Sequence, residues 1–227
     1  MEWSAADLAI VGLSLKVACV GTLASVPFAI AIALVLARGR FWGRGVLNAL
    51  VHLPLVMPPV VTGYLLLRLF GRRGPIGAML EQLFGIVFAF RWTGAALAAA
   101  VMGFPLMVRA IRLAIEQVDR HLEEAAASLG ASPWWTIATV TLPLALPGVL
   151  SGVMLAFAKA LGEFGATVTF VSNIPGETRT LALAIYTYTQ TPDGDAHVWR
   201  LAVLSILVSF AALLASEALA RRLERRR

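Results

Sequence analysis

Lys159, Glu163 and Thr167 recur at intervals of four inside an otherwise apolar stretch of the sequence. On a helix that spacing places them on one face. Ionisable groups at membrane depth face protein or water and pair with something. Two uses are open: a Lys159–Glu163 ion pair that neutralises itself and anchors packing, or a gate or hinge. Gly162 and Gly165 would assist the second, because glycines let helices approach closely and bend. Other chemistry is excluded by what is missing. An ATP-binding loop needs G-x-x-x-x-G-K-[ST], and neither Lys16 nor Lys159 follows a glycine. His52, His121 and His197 are dispersed, so a histidine metal cluster has little support. No G-x-S-x-G elbow occurs. The chain is expected not to be an enzyme.

A second constellation is polar and continuous. From Asp119 to Trp135 the sequence reads DRHLEEAAASLGASPWW. Asp119 suits an N-cap, the alanines favour helix, and Gly130 supplies a left-handed stop. Ser132-Pro133 then restarts a helix, with serine as cap and proline in the first helical position. The expectation is a helix–turn–helix at about 118–141, too polar at its start to enter lipid. Such an element suits insertion into a partner's groove. The alternative is a solvated connecting loop with an interfacial tryptophan pair.

These residues must be positioned by membrane helices. Of the 227 residues, 59% are hydrophobic and 14% charged, and the mean hydropathy is +0.81. Soluble domains run nearer half apolar and a quarter charged. Apolar runs at 17–36, 49–67 and 138–158 are about long enough to cross a bilayer of ~30 Å, and those at 93–108 and 201–216 become so when extended by Ile111 and Leu113 and by Val198 and Trp199. In lipid every backbone amide must be paired internally, so the runs must be helices. About five spans in a single transmembrane domain covering 1–227 are expected. The segment 76–90 is interrupted by Glu81 and reads as interfacial or re-entrant. Pro54, Pro58 and Pro59 should break the second span, which at membrane depth is admissible only where the freed backbone lines protein or a cavity. No internal repeat is apparent.

Charge sets orientation. The net charge is +6, but the apolar runs scatter the basic residues, so no nucleic-acid face forms. Arg38, Arg40, Arg44, Arg109, Arg112, Arg120, Arg221, Arg222, Arg225, Arg226 and Arg227 fall on one side of a five-span arrangement. The fewer arginines of the other side are Arg68, Arg72, Arg73, Arg91, Arg179 and Arg200. The richer side should be cytoplasmic, with the N-terminus outside and the C-terminus inside. Cys19 alone supports no disulfide framework, and the start lacks the basic n-region of a cleavable signal.

Glu124-Ala125-Ala126, Gly130 and Val140-x-Leu142-Pro143 resemble, at matching spacing, the EAA loop of ABC importer permeases, where isoleucine stands in the place of Val140. The stretches 158–167 and 170–178 resemble the molybdate/sulfate branch, and 52–61 is similar to the molybdate permeases in particular. The resemblance covers nearly the whole chain. It implies an all-α, polytopic type I ABC importer permease of the bacterial inner membrane, moving an oxyanion by ATP-driven alternating access. Molybdate is the expected substrate, with tungstate or sulfate, or less readily a secondary transporter, as alternatives.

The resemblance also implies partners and roles. The chain would form a homodimer with two cytoplasmic ABC ATPase subunits and a periplasmic or extracellular oxyanion-binding protein. It would bind no cofactor itself, ATP and Mg being held by the ATPase. Glu123, Glu124, Ala125, Ala126, Gly130, Ser132 and Pro133 would couple to the ATPase. An oxyanion pathway needs donors, and Thr62, Thr167, Thr169 and Ser172 are the candidate hydroxyls, with Pro58, Pro59, Lys159 and Glu163 at the pathway or its gate. Each hydroxyl could instead bond back to the helix carbonyl four residues earlier. Asn173, Pro175, Gly176 and Arg179 would dock the binding protein, and Arg72-Arg73 would meet either that protein or lipid headgroups.

Overall fold

The computed structural model describes residues 4–224, with side chains through Ala212 and that of Leu214. Among the expected cytoplasmic arginines, Arg225, Arg226 and Arg227 lie outside the described residues, as do the side chains of Arg221 and Arg222. Helix α1 (Ala5–Arg38) opens on a reciprocal cap, in which Ser4 Oγ accepts the Asp7 amide and the Asp7 carboxylate accepts the Ser4 amide. Next come α2 (Arg44–Val56) and α3 (Pro59–Phe70), then the short α4 (Pro75–Phe84) and α5 (Trp92–Gln117). Helices α6 (Arg120–Ser128) and α7 (Pro133–Thr136) lead through a π turn (Ile137–Thr141) into α8 (Leu142–Leu161). The chain ends in α9 (Gly165–Val171), α10 (Leu181–Thr189) and α11 (Asp195–Glu224).

Among the described residues, four segments are long and apolar enough to span a membrane: Ala5–Arg38, Trp92–Gln117, Pro133–Leu161 and Asp195–Ala212. The pair α2–α3 makes a fifth when taken as one span bent by 113°. The bend falls at Met57-Pro58, and Pro59 opens α3, where its missing amide is harmless. Pro54 does not break anything; it sits inside α2. The run expected at 76–90 yields α4, a helix of 10 residues, too short to cross.

Helix α5 is the central post. It packs against α1 and α8 through alanines and glycines, and its buried face includes Ala95, Ala98, Ala99, Met102, Met107 and Ile111. Without a hydrophobic driving force in lipid, helices associate by close packing over small residues. A Cβ on Gly21 would stand 2.5 Å from the Ala96 carbonyl oxygen, and one on Gly152 2.9 Å from that of Met107. Beside this post, α9 wedges between α3 and α5, burying Ala166, Phe170 and Val171.

Candidate functional site

The polar stripe expected along the fourth span divides between two elements. Helix α8 stops at Leu161, Gly162 caps it, and Glu163 lies in the break before α9. The four-residue spacing therefore does not run along one helix. The reason is local: outside the helix, Glu163 Oε1 can accept the Ala166 amide at 3.0 Å, in the first turn of α9, while Oε2 receives Lys159 Nζ at 2.7 Å. A carboxylate there satisfies an orphan amide and meets the positive end of the helix dipole. The Glu163 side chain is 1% exposed and that of Lys159 32%. Thr167 is buried on α9.

The bent second span delivers α3 against α9. A Cβ on Gly63 would lie 2.5 Å from the Ala166 carbonyl oxygen and 2.8 Å from Thr169 Cβ, and one on Gly165 would lie 2.7 Å from Pro59 Cβ. The two backbones touch, so Thr62, Pro59, Ala166 and Thr169 meet at one crossing. The candidate hydroxyls differ in state. Thr169 Oγ1 donates to the Gly165 carbonyl at 2.9 Å, the helix back-bond. Thr62 Oγ1 is buried and finds no hydrogen-bond partner among the described residues. Ser172 is exposed at φ +64°, and its carbonyl accepts from Thr178 Oγ1 at 3.2 Å.

Beyond Ser172 the chain forms a stitched loop. Asn173 Nδ2 donates to Thr187 Oγ1 at 2.6 Å on α10, and Asn173 Oδ1 accepts Arg179 Nε at 3.0 Å. The Ile174 carbonyl accepts the amides of Glu177, Thr178 and Arg179. Pro175 and Gly176 form its exposed tip, where Gly176 takes φ +76°. Asn173 and Arg179 thus hold the loop's shape, while Pro175 and Gly176 are what it presents. The loop is also tied to α5, because the Trp92 amide donates to Glu177 Oε1 at 3.3 Å. Helix α10 falls between the apolar runs at 138–158 and 201–216, and it buries Leu181, Leu183 and Ala184.

At the opposite end of α5 the polar segment folds through its own caps. Asp119 accepts the His121 amide at 2.9 Å, and Ser132 accepts that of Trp135 at 3.4 Å. Gly130 lies at φ +88° with no atom near its missing side chain, so a left-handed backbone is what requires glycine there. Helix α6 has no buried residue. Leu122, Leu129, Trp134 and Trp135 project as exposed apolar groups, and a groove between the two short helices is lined by Ala126, Leu129, Gly130, Ser132 and Trp135. The two glutamates point differently. Glu124 is exposed beside His121, whereas Glu123 turns inward to Arg38 and Thr141. Those two partners gave no local signal, Arg38 reading only as one of many arginines.

The arrangement has relatives. Residues 25–225 match the family described as binding-protein-dependent transport system inner membrane component. The chain is 58% identical over 220 residues to the molybdenum transport system permease protein ModB of Escherichia coli (strain K12), covering 97% of this chain and 94% of the relative. It is 52% identical over 220 residues to ModB of Haemophilus influenzae, covering 97% and 96%. Among solved structures, a bacterial alginate ABC transporter in complex with an alginate pentasaccharide-bound periplasmic protein contains a chain of the same fold. The TM-score is 0.76 at 17% identity, over 96% of this chain and 80% of that one.

Proposed function

The chain belongs to the family of binding-protein-dependent transport system inner membrane components, and on that premise we propose that it is the translocating subunit of an ATP-driven molybdate importer. The observation that carries the substrate is 58% identity to a molybdenum permease along nearly the whole length of both chains. Two copies would face each other across a pathway, with α3 and α9 of each at its wall. The helix bearing Glu124-Ala125-Ala126, with Gly130, Ser132 and Pro133 shaping the turn behind it, would sit in a groove of a separate ATPase subunit. That subunit would bind ATP and Mg. The inner side is then the side of α6, which agrees with the arginine distribution and leaves the loop of Asn173, Pro175, Gly176 and Arg179 facing the binding protein.

The site chemistry suits a tetrahedral dianion that must pass through without being held. Thr62 offers an unengaged hydroxyl donor at the α3–α9 crossing, with Thr167 on α9 and Ser172 at the cap that ends it. A hydroxyl donates without presenting a countercharge, so release is not opposed by a deep electrostatic well. Glu163 would repel the anion if it were bare. Its pairing with Lys159 cancels that charge and links α8 to the start of α9. ATP-driven closure of the ATPases would draw the α6–α7 elements of the two copies together and open the pathway outward; hydrolysis would reverse it.

Substrate choice is tested in proteoliposomes carrying the chain with its ATPase and binding protein. Uptake of labelled molybdate is measured against equal concentrations of tungstate or sulfate. Tungstate, of the same charge and shape, should compete, and sulfate should compete at least about tenfold more weakly, a difference of ~1.4 kcal/mol. Sulfate competing as well as tungstate would overturn the molybdate assignment.

A further inference from the structure

One carboxylate oxygen ties together the inner ends of two spans, and through Arg38 it reaches a third. Glu123 Oε1 accepts Arg38 Nη2 at 2.9 Å, Arg38 Nε at 3.2 Å and Thr141 Oγ1 at 2.8 Å. Arg38 is the last residue of α1, and its Nη2 also donates to the carbonyl of Val118, the C-cap of α5, at 3.0 Å. Thr141 closes the π turn that feeds α8, and it is buried. Glu123 of α6 therefore holds the end of α1 and the beginning of α8 directly, and the end of α5 through Arg38. Nothing else described gives α6 so firm a hold. It buries no residue, its principal neighbours are the short α7 and the π turn, and its apolar groups project outward.

As a stability device this network would be poorly placed. The Arg38 and Glu123 side chains are 20% and 22% exposed, and partly exposed ion pairs add little to folding. As a mechanical device it is well placed. A displacement of α6 reaches the spans along two routes, the backbone connections at either end and this charge-assisted cluster. Its Arg38–Glu123 contact joins residues 85 apart in sequence, and such bonds are short and directional. The π turn adds a place where the route can yield, since wide turns of this kind interrupt the regular α-helical ladder and recur at functional sites.

We propose that Glu123 is a positioning residue of the transport cycle, clamping α6 to α1 through Arg38 and to α8 through Thr141, so that motion of the ATPase is delivered to the membrane helices. Glu124, one residue on and facing out, is left to meet the ATPase. The inference rests on the importer reading above and divides the work of the two adjacent glutamates.

The test uses the complete complex in proteoliposomes and reads the number of ATP molecules hydrolysed per molybdate moved, alongside the amount of ATPase that co-purifies. In Glu123→Gln the ATPase should remain bound while the ratio rises by about tenfold, within the range by which single residues along a coupling network act. The exchanged pair Glu123→Arg with Arg38→Glu should return the ratio to within about threefold of the parent, because it rebuilds the contact with its charges reversed. Thr141→Val removes one hydroxyl while leaving the ion pair, and should raise the ratio by about threefold even if the charge variants fail to insert. An unmoved ratio in Glu123→Gln and Thr141→Val would overturn the clamp, and so would loss of bound ATPase in Glu123→Gln without rescue by the exchange. Failure of the importer reading would appear separately, as a parent complex with no ATP-dependent uptake at all.

Discussion

Lys159 and Glu163 form one ion pair, yet removing either partner should have unequal consequences. In Lys159→Met the aliphatic stem is kept and the ammonium lost. Glu163, 1% exposed, then retains only the Ala166 amide on Oε1, and Oε2 is a buried charge without a counterion. Breaking a buried pair in this direction costs about 3–5 kcal/mol. In Glu163→Gln the amide oxygen still accepts from Ala166, and Lys159, already 32% exposed, can carry its ammonium toward water on a flexible stem. The loss is then nearer that of ordinary buried hydrogen bonds, about 1–2 kcal/mol. For a chain of this size each kcal/mol shifts the melting temperature by about 2–4 °C. Lys159→Met should therefore lower Tm by ~6–20 °C and Glu163→Gln by ~2–8 °C, followed by tryptophan fluorescence on protein purified in detergent. The double variant Lys159→Met/Glu163→Leu should be milder than Lys159→Met alone, since replacing both partners by apolar groups removes the stranded charge. Equal losses for the two single variants, or a double variant worse than their sum, would refute the account of the break as a self-neutralised latch.

Three further outcomes follow from the same geometry. Gly63→Ala places a methyl 2.5 Å from the Ala166 carbonyl oxygen, so Tm should fall by the equivalent of about 1–3 kcal/mol and uptake should drop, whereas Gly45→Ala, with open space around it, should be neutral or stabilising. Gly130→Ala forces a side chain onto φ +88° at a cost of about 1–2 kcal/mol, seen as faster protease cleavage between α6 and α7 with the spans intact. Glu124→Arg, at an exposed position, should leave membrane insertion normal and uncouple ATP hydrolysis from uptake; normal uptake in this variant would remove Glu124 from the docking surface.

How much was legible depended on how local the physics is. The spans could be read from apolar runs because lipid imposes internal pairing of every backbone amide. The turn of the α6–α7 element followed from Asp119, Gly130 and Ser132-Pro133, each of which acts within one helical turn of itself. The second span broke at Met57-Pro58, as its prolines suggested, but Pro54 was tolerated inside α2. The spacing of Lys159, Glu163 and Thr167 points to one helix face although the helix breaks at Gly162, because a four-residue spacing looks alike whether Glu163 caps a new helix or rides on the old one. Only the Ala166 amide on Glu163 separates the two. Helix α10 was hidden for the converse reason, being apolar but short and bounded by turn residues. The Arg38–Glu123–Thr141 cluster joins positions far apart in sequence, so no window along the chain contains it.

The claim on which everything else depends is that transport through this chain is driven by ATP hydrolysed on a partner. Molybdate accumulation in proteoliposomes containing the chain, its ATPase and the binding protein tests it directly, with ATP supplied or withheld on the ATPase side. Accumulation should require ATP and should cease when the binding protein is left out. Uptake that persists without ATP would contradict the account and identify a transporter driven by an ion gradient instead.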